Sequence, residues 1–499
     1  MVTAKLAQEH AKVVIVGAGF SGLAMAIRLE QQGIDDYVIL ERADDVGGTW
    51  HYNTYPGCMC DVPSHLYSLS FAPNPAWSHT YSPQAEIRAY LQGCAEEFGI
   101  RGHLRTNVEV EAASWREDEE LWDIDTSAGT FTANVLVAGM GPLTEPMIPA
   151  LPGLARFQGK TMHSARWDHD YELAGKRVAS IGTGASAIQY VPEIRPLLDR
   201  LYVFQRTAPW VMPHGDRPIT ELERMLYRRV PFAQRLVRAS VYAARELLVL
   251  GFAKDPRLMG MLERLARSHM RRHISDPDLL ERVTPDYTLG CKRILPSNRW
   301  YPALGERNVE LVTDGIEEIR ERCIVDARGV EREVDAIIFG TGFHVTDIPG
   351  AQQVRGRDGK LISEVWRGSP RAYLGTAVPG FPNLFLLLGP NTGLGHSSMV
   401  YMIESQVEHV LRAILAMERS GATTIEVRPQ AHAEFNRVLD ERMRGTVWDT
   451  GGCTSFYLDE TGRNATLWPD WTWRFRRLAA RFDSGAYTLR TRRPATLTA

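Results

Sequence analysis

Two glycine-rich turns, each set between a β-branched run and an amphipathic helix pattern, constrain what this chain can fold into more than any other feature. In the first, Lys12–Val16 runs into Gly17-Ala18-Gly19-Phe20-Ser21-Gly22, and Leu23, Ala26, Ile27 and Leu29 then share one helical face. Gly17 permits the tight turn, Gly19 lets backbone approach a pyrophosphate, and Gly22 allows close packing of helix on strand. The helix N-terminus offers free N–H groups to phosphates. A second strand, Tyr37–Leu40, ends in Glu41, placed where a carboxylate accepts hydrogen bonds from ribose hydroxyls. The second turn, Gly182-Thr183-Gly184-Ala185-Ser186-Ala187, follows the strand Arg177–Ile181 and opens a helix that carries Gln189. Ala187 at its last position still allows close packing. The next strand, Leu201–Phe204, ends in Gln205-Arg206-Thr207 instead of an acid. A carboxylate repels a 2′-phosphate, whereas arginine pairs with one bidentately. The first turn is therefore expected to hold FAD or NAD. The second is expected to hold NADP, with Arg206 and Thr207 at its phosphate. A surface arginine at a strand end is the alternative for Arg206.

Composition sets the outer bounds. The 499 residues, 44% hydrophobic and 23% charged, are ordinary for a globular chain with length for about three domains. A net charge of -3 gives no reason to expect nucleic acid or an anionic membrane as the main partner. No uncharged apolar run is long enough to span a bilayer, and the opening residues MVTAKLAQEHAK lack the apolar core of a secretion signal, so the expected setting is cytoplasmic. In that setting the six scattered cysteines are read as free thiols. None stands at zinc spacing, so no metal is expected, and no Cys-x-x-Cys pair supports a dithiol reductase.

Leu104–Glu111, Leu121–Thr126, Thr130–Phe131 and Val135–Val137 read as a small antiparallel insertion returning to the first sheet. The proline-rich piece Pro146–Gly153 is a stiff linker. From Pro218 to Pro285, apolar residues such as Val237, Val241, Ala244 and Leu248 recur at helical spacing. Packing is the default role for these helices; a roof over a substrate pocket and an interfacial membrane contact are the other two. The resulting fold class is α/β, with two Rossmann-like dinucleotide-binding domains and a helical insertion. Expected boundaries are 1–145 and 375–499 for the FAD domain, 150–213 and 286–374 for the NADP domain, and 214–285 for the insertion.

Between the turns lies Phe157-x-Gly159-x-x-x-His163-x-x-x-Trp167-Asp168. This spacing resembles the fingerprint of the type I Baeyer–Villiger monooxygenases, and the resemblance extends over nearly the whole chain with motifs in the family's order. It implies several roles. Gly47-Gly48-Thr49-Trp50 resembles the second flavin-contacting turn, and the positions matching Asp61 and Tyr67 lie beside the isoalloxazine. The matching arginine of Lys292-Arg293 is the active-site arginine, and the matching lysine helps hold the NADP phosphate. His163 is implied to be a conformational link, not a proton carrier. Ala138–Pro142 resembles the family's crossover, and Asp335–Phe343 resembles the returning strand that closes two-dinucleotide folds. Phe381–Ser398, with Asn391, resembles the return to the flavin, and Gly452–Pro469 resembles a mobile segment over the nicotinamide. Many relatives carry Trp where this chain has Phe456, which removes an indole N–H donor. On the residues alone, Asp61 reads as a turn cap before Pro63, and Lys292-Arg293 as a surface pair.

The implied activity is an FAD- and NADPH-dependent monooxygenase converting a small-molecule ketone and O2 to an ester or lactone via a flavin peroxide. Arg293 supplies the cation, Asp61 orients it, and sulfoxidation of thioethers is a side activity. One alternative is a flavin monooxygenase of amines or thioethers, whose fingerprint usually ends in Tyr or Phe. Another, of a different class, is a noncatalytic FAD/NADP-binding redox sensor.

Overall fold

A computed structural model describes residues 9–347 and 349–492. Its first sheet is built around β1 (Glu9–Val16). Side chains alternate across a strand, so Val13 and Ile15 enter one core while Val14 enters another on the opposite face. All three are fully buried, as both faces of a parallel sheet require. The chain continues through α1 (Phe20–Glu30) into β2 (Tyr37–Leu40), which lies parallel to β1 with Tyr37 opposite Val13. The short β3 (Leu104–Arg105) extends that edge. Then β4 (Val110–Arg116), β5 (Leu121–Thr126) and β6 (Gly129–Ala138) form an antiparallel run, and β6 returns parallel to β1 with Val135 opposite Val13. Two details differ from expectation. Asn107, at φ 57°, breaks 104–111 into two strands, and the pieces expected at 130–131 and 135–137 are one strand.

The fingerprint contributes the edge of a second sheet, β7 (Lys160–His163). Next come β8 (Arg177–Ile181), α2 (Ala187–Ile194) and β9 (Arg200–Phe204). Three longer helices interrupt this fold: α3 (Glu221–Arg229), α4 (Pro231–Glu246) and α5 (Met259–His273). A capping box between Thr220 and Glu223 starts α3, and Pro231 at the first position starts α4. The sheet then closes with β10 (Val309–Val312) and β11 (Ala336–Phe339), giving the all-parallel order β10-β9-β8-β11-β7. The α/β class with two Rossmann-like folds and a helical insertion therefore stands.

The chain regains the first sheet at Val354–Arg355, which pairs with β4, so the return precedes the expected boundary at 375. Residues Leu384–Leu386 (β12) then pair with β6, and α6 (Met399–Ser420) packs its apolar face on α1. The reading of six free thiols is corrected. Cys58, Cys60, Cys94 and Cys323 are free, but Cys291 and Cys453 form a disulfide across 162 residues. Local spacing carries no signal for a pairing at that separation.

Candidate active site

At the first turn, Gly17 has φ 95°, and a Cβ there would stand 2.9 Å from the carbonyl oxygen of Gly139. A Cβ on Gly22 would overlap the carbonyl of Gly17, and one on Gly48 would lie 2.9 Å from Cα of Gly19. Three backbone segments thus converge where side chains have no room. The Gly19 end of α1 has no side-chain cap and no acid in its first turn, leaving bare N–H groups for an anion. Glu41 is buried, and its carboxylate accepts from the backbone N–H of Ala18 at 2.6 Å and of Ala43 at 2.9 Å. Those bonds hold it at the strand end where a ribose would lie. Thr49–Tyr52 form one helical turn after Gly48, and Trp50 Nε1 donates to Tyr67 Oη at 3.1 Å.

The second turn repeats the design. Gly182 has φ 104°, and a Cβ on it would meet the Gly340 carbonyl at 2.4 Å. A Cβ on Gly184 would stand 4.0 Å from the same oxygen, an ordinary contact; Ala187 is buried, and Ser186 precedes α2 without capping it. Thr207 follows Arg206, and its carbonyl accepts from Thr183 Oγ1 at 3.2 Å. Arg206 is exposed at the end of β9. Lys292 approaches it from the loop after the insertion: burial, then the nearby Arg206 charge, push the Lys292 ammonium pKa down. Neither cation has a carboxylate in salt-bridge range among the described residues, although Asp286 acts weakly on Lys292 from farther off. Two converging, unpaired cations suit a dianionic phosphate.

Gln189 and Asn391 lie at the site's borders with their amides engaged. Gln189 Oε1 accepts from Tyr55 Oη at 2.9 Å and its Nε2 donates to the Met59 carbonyl at 3.0 Å, joining α2 to the first fold. Asn391, buried at φ 57°, donates to the carbonyls of Asn464 and Leu467 and accepts from Arg463. It clasps the C-terminal segment to the loop before α6.

The two folds meet at Asp61 and Arg293. Arg293 Nε donates to Asp61 Oδ2 at 2.5 Å and Nη2 donates to Oδ1 at 2.6 Å, a bidentate pair between residues 232 positions apart. Nη1 donates to the Leu394 carbonyl at 3.2 Å. A guanidinium has five N–H groups, so two remain for a ligand. Burial alone would raise the Asp61 pKa, but the Arg293 charge and hydrogen bonds outweigh it and hold the carboxyl below its ordinary range. Burial disfavours the Arg293 cation, and Asp61 more than offsets that. The turn-cap reading of Asp61 and the surface-pair reading of Arg293 are thereby replaced.

The fingerprint segment runs along the second fold, and two residues flanking its last positions reach the first. Phe157 sits under Gly159, where any Cβ would strike its ring, and packs beside the second sheet. Trp167 lies 5.5 Å from the Tyr190 ring, and Asp168 pairs with Lys160 while capping the N–H of Asp170. Arg166 stacks over Tyr52, and His169 meets Thr54 at 2.9 Å, both across to the first fold. His163 is buried, accepts from the Ala165 N–H at 3.1 Å, and burial pushes its pKa down to about 4.

A pyridine nucleotide-disulphide oxidoreductase family model matches residues 14–230. Two relatives, each named Baeyer-Villiger monooxygenase, cover almost the whole chain. The one from Streptomyces coelicolor is 52% identical over 98% of this chain and 94% of its own length. The one from Pseudomonas aeruginosa is 51% identical over 97% of this chain and 92% of its own. The chain belongs to the Baeyer–Villiger monooxygenases. Among solved structures, a closed cyclohexanone monooxygenase superimposes with a TM-score of 0.88 at 27% identity, covering 97% of this chain and all of that one. A steroid monooxygenase bound to NADP superimposes with a TM-score of 0.86 at 31% identity over the same shares.

Residues that sequence reasoning missed stand around the Asp61–Arg293 pair of this Baeyer–Villiger monooxygenase. Tyr457 is buried beside both charges; burial first, then Asp61 against Arg293, leaves its phenol pushed up to about 12. Its neighbour Phe456, which the sequence singled out, is 52% exposed. On the other side, Arg245 of α4 acts electrostatically on Asp61 and donates to Tyr81 Oη at 3.2 Å. The Tyr81 ring in turn lies 4.5 Å from that of His214. Nothing in local spacing distinguishes Arg245 from the other arginines of the insertion.

Proposed function

We propose that the chain uses FAD at the first turn and NADPH at the second to insert one atom of O2 beside the carbonyl of a small ketone, giving an ester or lactone. The cradles at Gly17/Gly48 and Gly182/Gly340, the bare helix ends, Glu41, and the Arg206–Lys292 pair fit those two dinucleotides. Bound FAD would carry electrons from NADPH to O2. The protein supplies binding, orientation and fixed charge. Gly17, Gly19, Gly22, Glu41, Gly48, Thr49, Trp50 and Tyr67 would border the FAD. Gly182, Gly184, Ser186, Ala187, Arg206, Thr207 and Lys292 would border the NADP, with Gln189 and Asn391 fixing the walls.

One observation carries the catalytic assignment: a bidentate Asp61–Arg293 pair stands where the two folds meet, with guanidinium N–H groups left over. Attack on a ketone carbonyl leaves negative charge on its oxygen, and a pre-oriented guanidinium stabilises that charge without reorganising. Asp61 fixes the direction in which Arg293 points. The charge arises only during oxygenation, so the effect belongs to that half of the reaction.

The test is Arg293→Ala, assayed on one preparation by anaerobic stopped-flow reduction with NADPH and by ester quantification. Flavin retention and reduction should persist, while ester formation falls about a hundred- to a thousandfold. Near-normal ester yield would remove Arg293 from catalysis. Failure of the unmodified protein to make ester from cyclic, linear and aryl ketones would instead favour the redox-sensor alternative.

A further inference from the structure

The insertion carries a surface that the chemistry above does not use. Of the twenty large apolar side chains exposed among the described residues, eleven fall between Leu222 and Leu265. On α4 and its continuation they form a stripe. Phe232 (70% exposed), Leu236 (59%), Leu247 (61%) and Leu250 (40%) recur with exposed Ala239 and Ala243 at positions that share one helical face. The opposite face of α4, with Gln234, Val237 and Val241, turns inward, while Glu246 at the helix end is buried on the stripe's own side. Exposed Leu222, Met225 and Leu226 continue the apolar surface on α3, which packs on α4, and Met261 and Leu265 are exposed on α5.

The charge around these residues is equally uneven. Residues 221–273 hold twelve Lys and Arg against five Asp and Glu, a net of +7 in a chain whose total is -3. All five acids are engaged: Glu221 with Arg224, Glu223 with Arg217, Asp255 with Arg257, Glu263 with the Leu289 N–H, and Glu246 buried against Thr472 and His396. By contrast Arg228, Arg229, Arg235, Arg264, Arg271 and Arg272 are exposed and lie in no salt bridge among the described residues. Exposed Leu, Phe and Met flanked by unpaired arginines match the demands of an anionic lipid surface, where apolar side chains enter the acyl boundary and cations meet the head groups. A second copy of this chain fits poorly, because a two-fold contact would set the same net-positive surface against itself.

We propose that α3 and α4 dock this protein, without spanning, on the surface of an anionic bilayer. No helix among the described residues is long and apolar enough to cross one. The docking helix α4 also carries Arg245 toward Asp61, so the surface would lie about one helix diameter from the site, roughly 10 Å. On the activity proposed above, this would deliver ketones already dissolved in the lipid, but the docking itself does not depend on that activity.

The test is cosedimentation of the flavin-loaded full chain with vesicles of phosphatidylcholine alone and with about 30 mol% phosphatidylglycerol. Binding to the anionic vesicles should exceed binding to neutral ones by at least roughly tenfold and should fall in about 0.5 M salt. The triple variant Phe232→Ser/Leu236→Ser/Leu247→Ser and the variant Arg228→Gln/Arg229→Gln/Arg235→Gln should each lose most of that binding. Both should keep flavin and turnover of a short, water-soluble ketone. Equal sedimentation with and without anionic lipid, or variants that bind as the unmodified chain does, would overturn the proposal. A dimer in solution that the triple variant dissociates would overturn it in favour of self-association. Absence of ketone turnover with lipid binding intact would count against the proposed activity and leave the docking standing.

Discussion

At the scale of single residues, the charge contrast between Glu41 and Arg206 is the most consequential feature read from sequence. Lys292, which the family resemblance already assigned to the phosphate, lies near enough for the Arg206 charge to act on it, and neither cation has a carboxylate in salt-bridge range among the described residues. Arg206→Ala should therefore erode a preference for NADPH over NADH chiefly through affinity. Removal of one charged contact costs about 1.5–3 kcal/mol, or roughly ten- to a hundredfold. Reduction kinetics with both coenzymes would check this, and equal use of both by the unmodified protein would refute the assignment. Glu41 and the glycines were legible because their roles are local: a turn conformation, a close approach, a carboxylate at a strand end. Asp61 and Arg293 were not legible by spacing, since 232 residues separate them, and only the family's motif order identified them. Tyr457 and Arg245 had neither route, and their places beside Asp61 emerge only when the folds are assembled.

At the scale of elements, the strands and helices of both dinucleotide folds follow their patterning, because parallel strands buried on both faces read as short apolar runs. The exceptions have local causes, such as Asn107 in the left-handed region at the break between β3 and β4. The segment after Gly452 illustrates a different limit. Phe456 stands outside while Tyr457 fills the core, and the Cys291–Cys453 disulfide ties this segment to the loop bearing Lys292 and Arg293. Two predictions follow from that tether. Cys453→Ser should weaken retention of NADP and release more hydrogen peroxide per NADPH, because the segment is no longer fixed to the Arg293 loop. It should also lower the thermal midpoint, as a cross-link over so long a loop is worth about 5 kcal/mol in a chain-entropy account. An unchanged midpoint and unchanged peroxide release would show the bond to be without consequence. Phe456→Trp should tighten NADP by about one neutral hydrogen bond, roughly 0.5–1.5 kcal/mol, if the segment closes over the ribose. Equilibrium titration of NADP into both proteins would decide that point.

The whole molecule joins a mixed sheet and a parallel sheet through the fingerprint strand β7, which belongs to one sheet while its following residues grip the other fold. Its stability should depend on acid in a characteristic window. Burial pushes His65, His163 and His409 down to about 4 from an ordinary 6.5, so the unfolded chain takes up their protons first as pH falls. The contribution of these neutral imidazoles is complete above about pH 6.5 and is lost progressively toward pH 4. Together they give a slope of at most about 4 kcal/mol per pH unit, reached only near the middle of that window. Thermal midpoints should fall steeply from pH 6.5 to 4.5, and a flat profile there would contradict the buried neutral state. The central claim is narrower: this fold holds two dinucleotides so that Arg293 can stabilise charge on a ketone oxygen during oxygenation. Its most direct test is turnover of a ketone panel by the flavin-loaded protein with NADPH under ¹⁸O₂, followed by mass spectrometry of the product. The expected product is an ester or lactone carrying one ¹⁸O atom, formed in step with NADPH consumed. Consumption of NADPH that yields only hydrogen peroxide, with no labelled ester from any ketone, would contradict it.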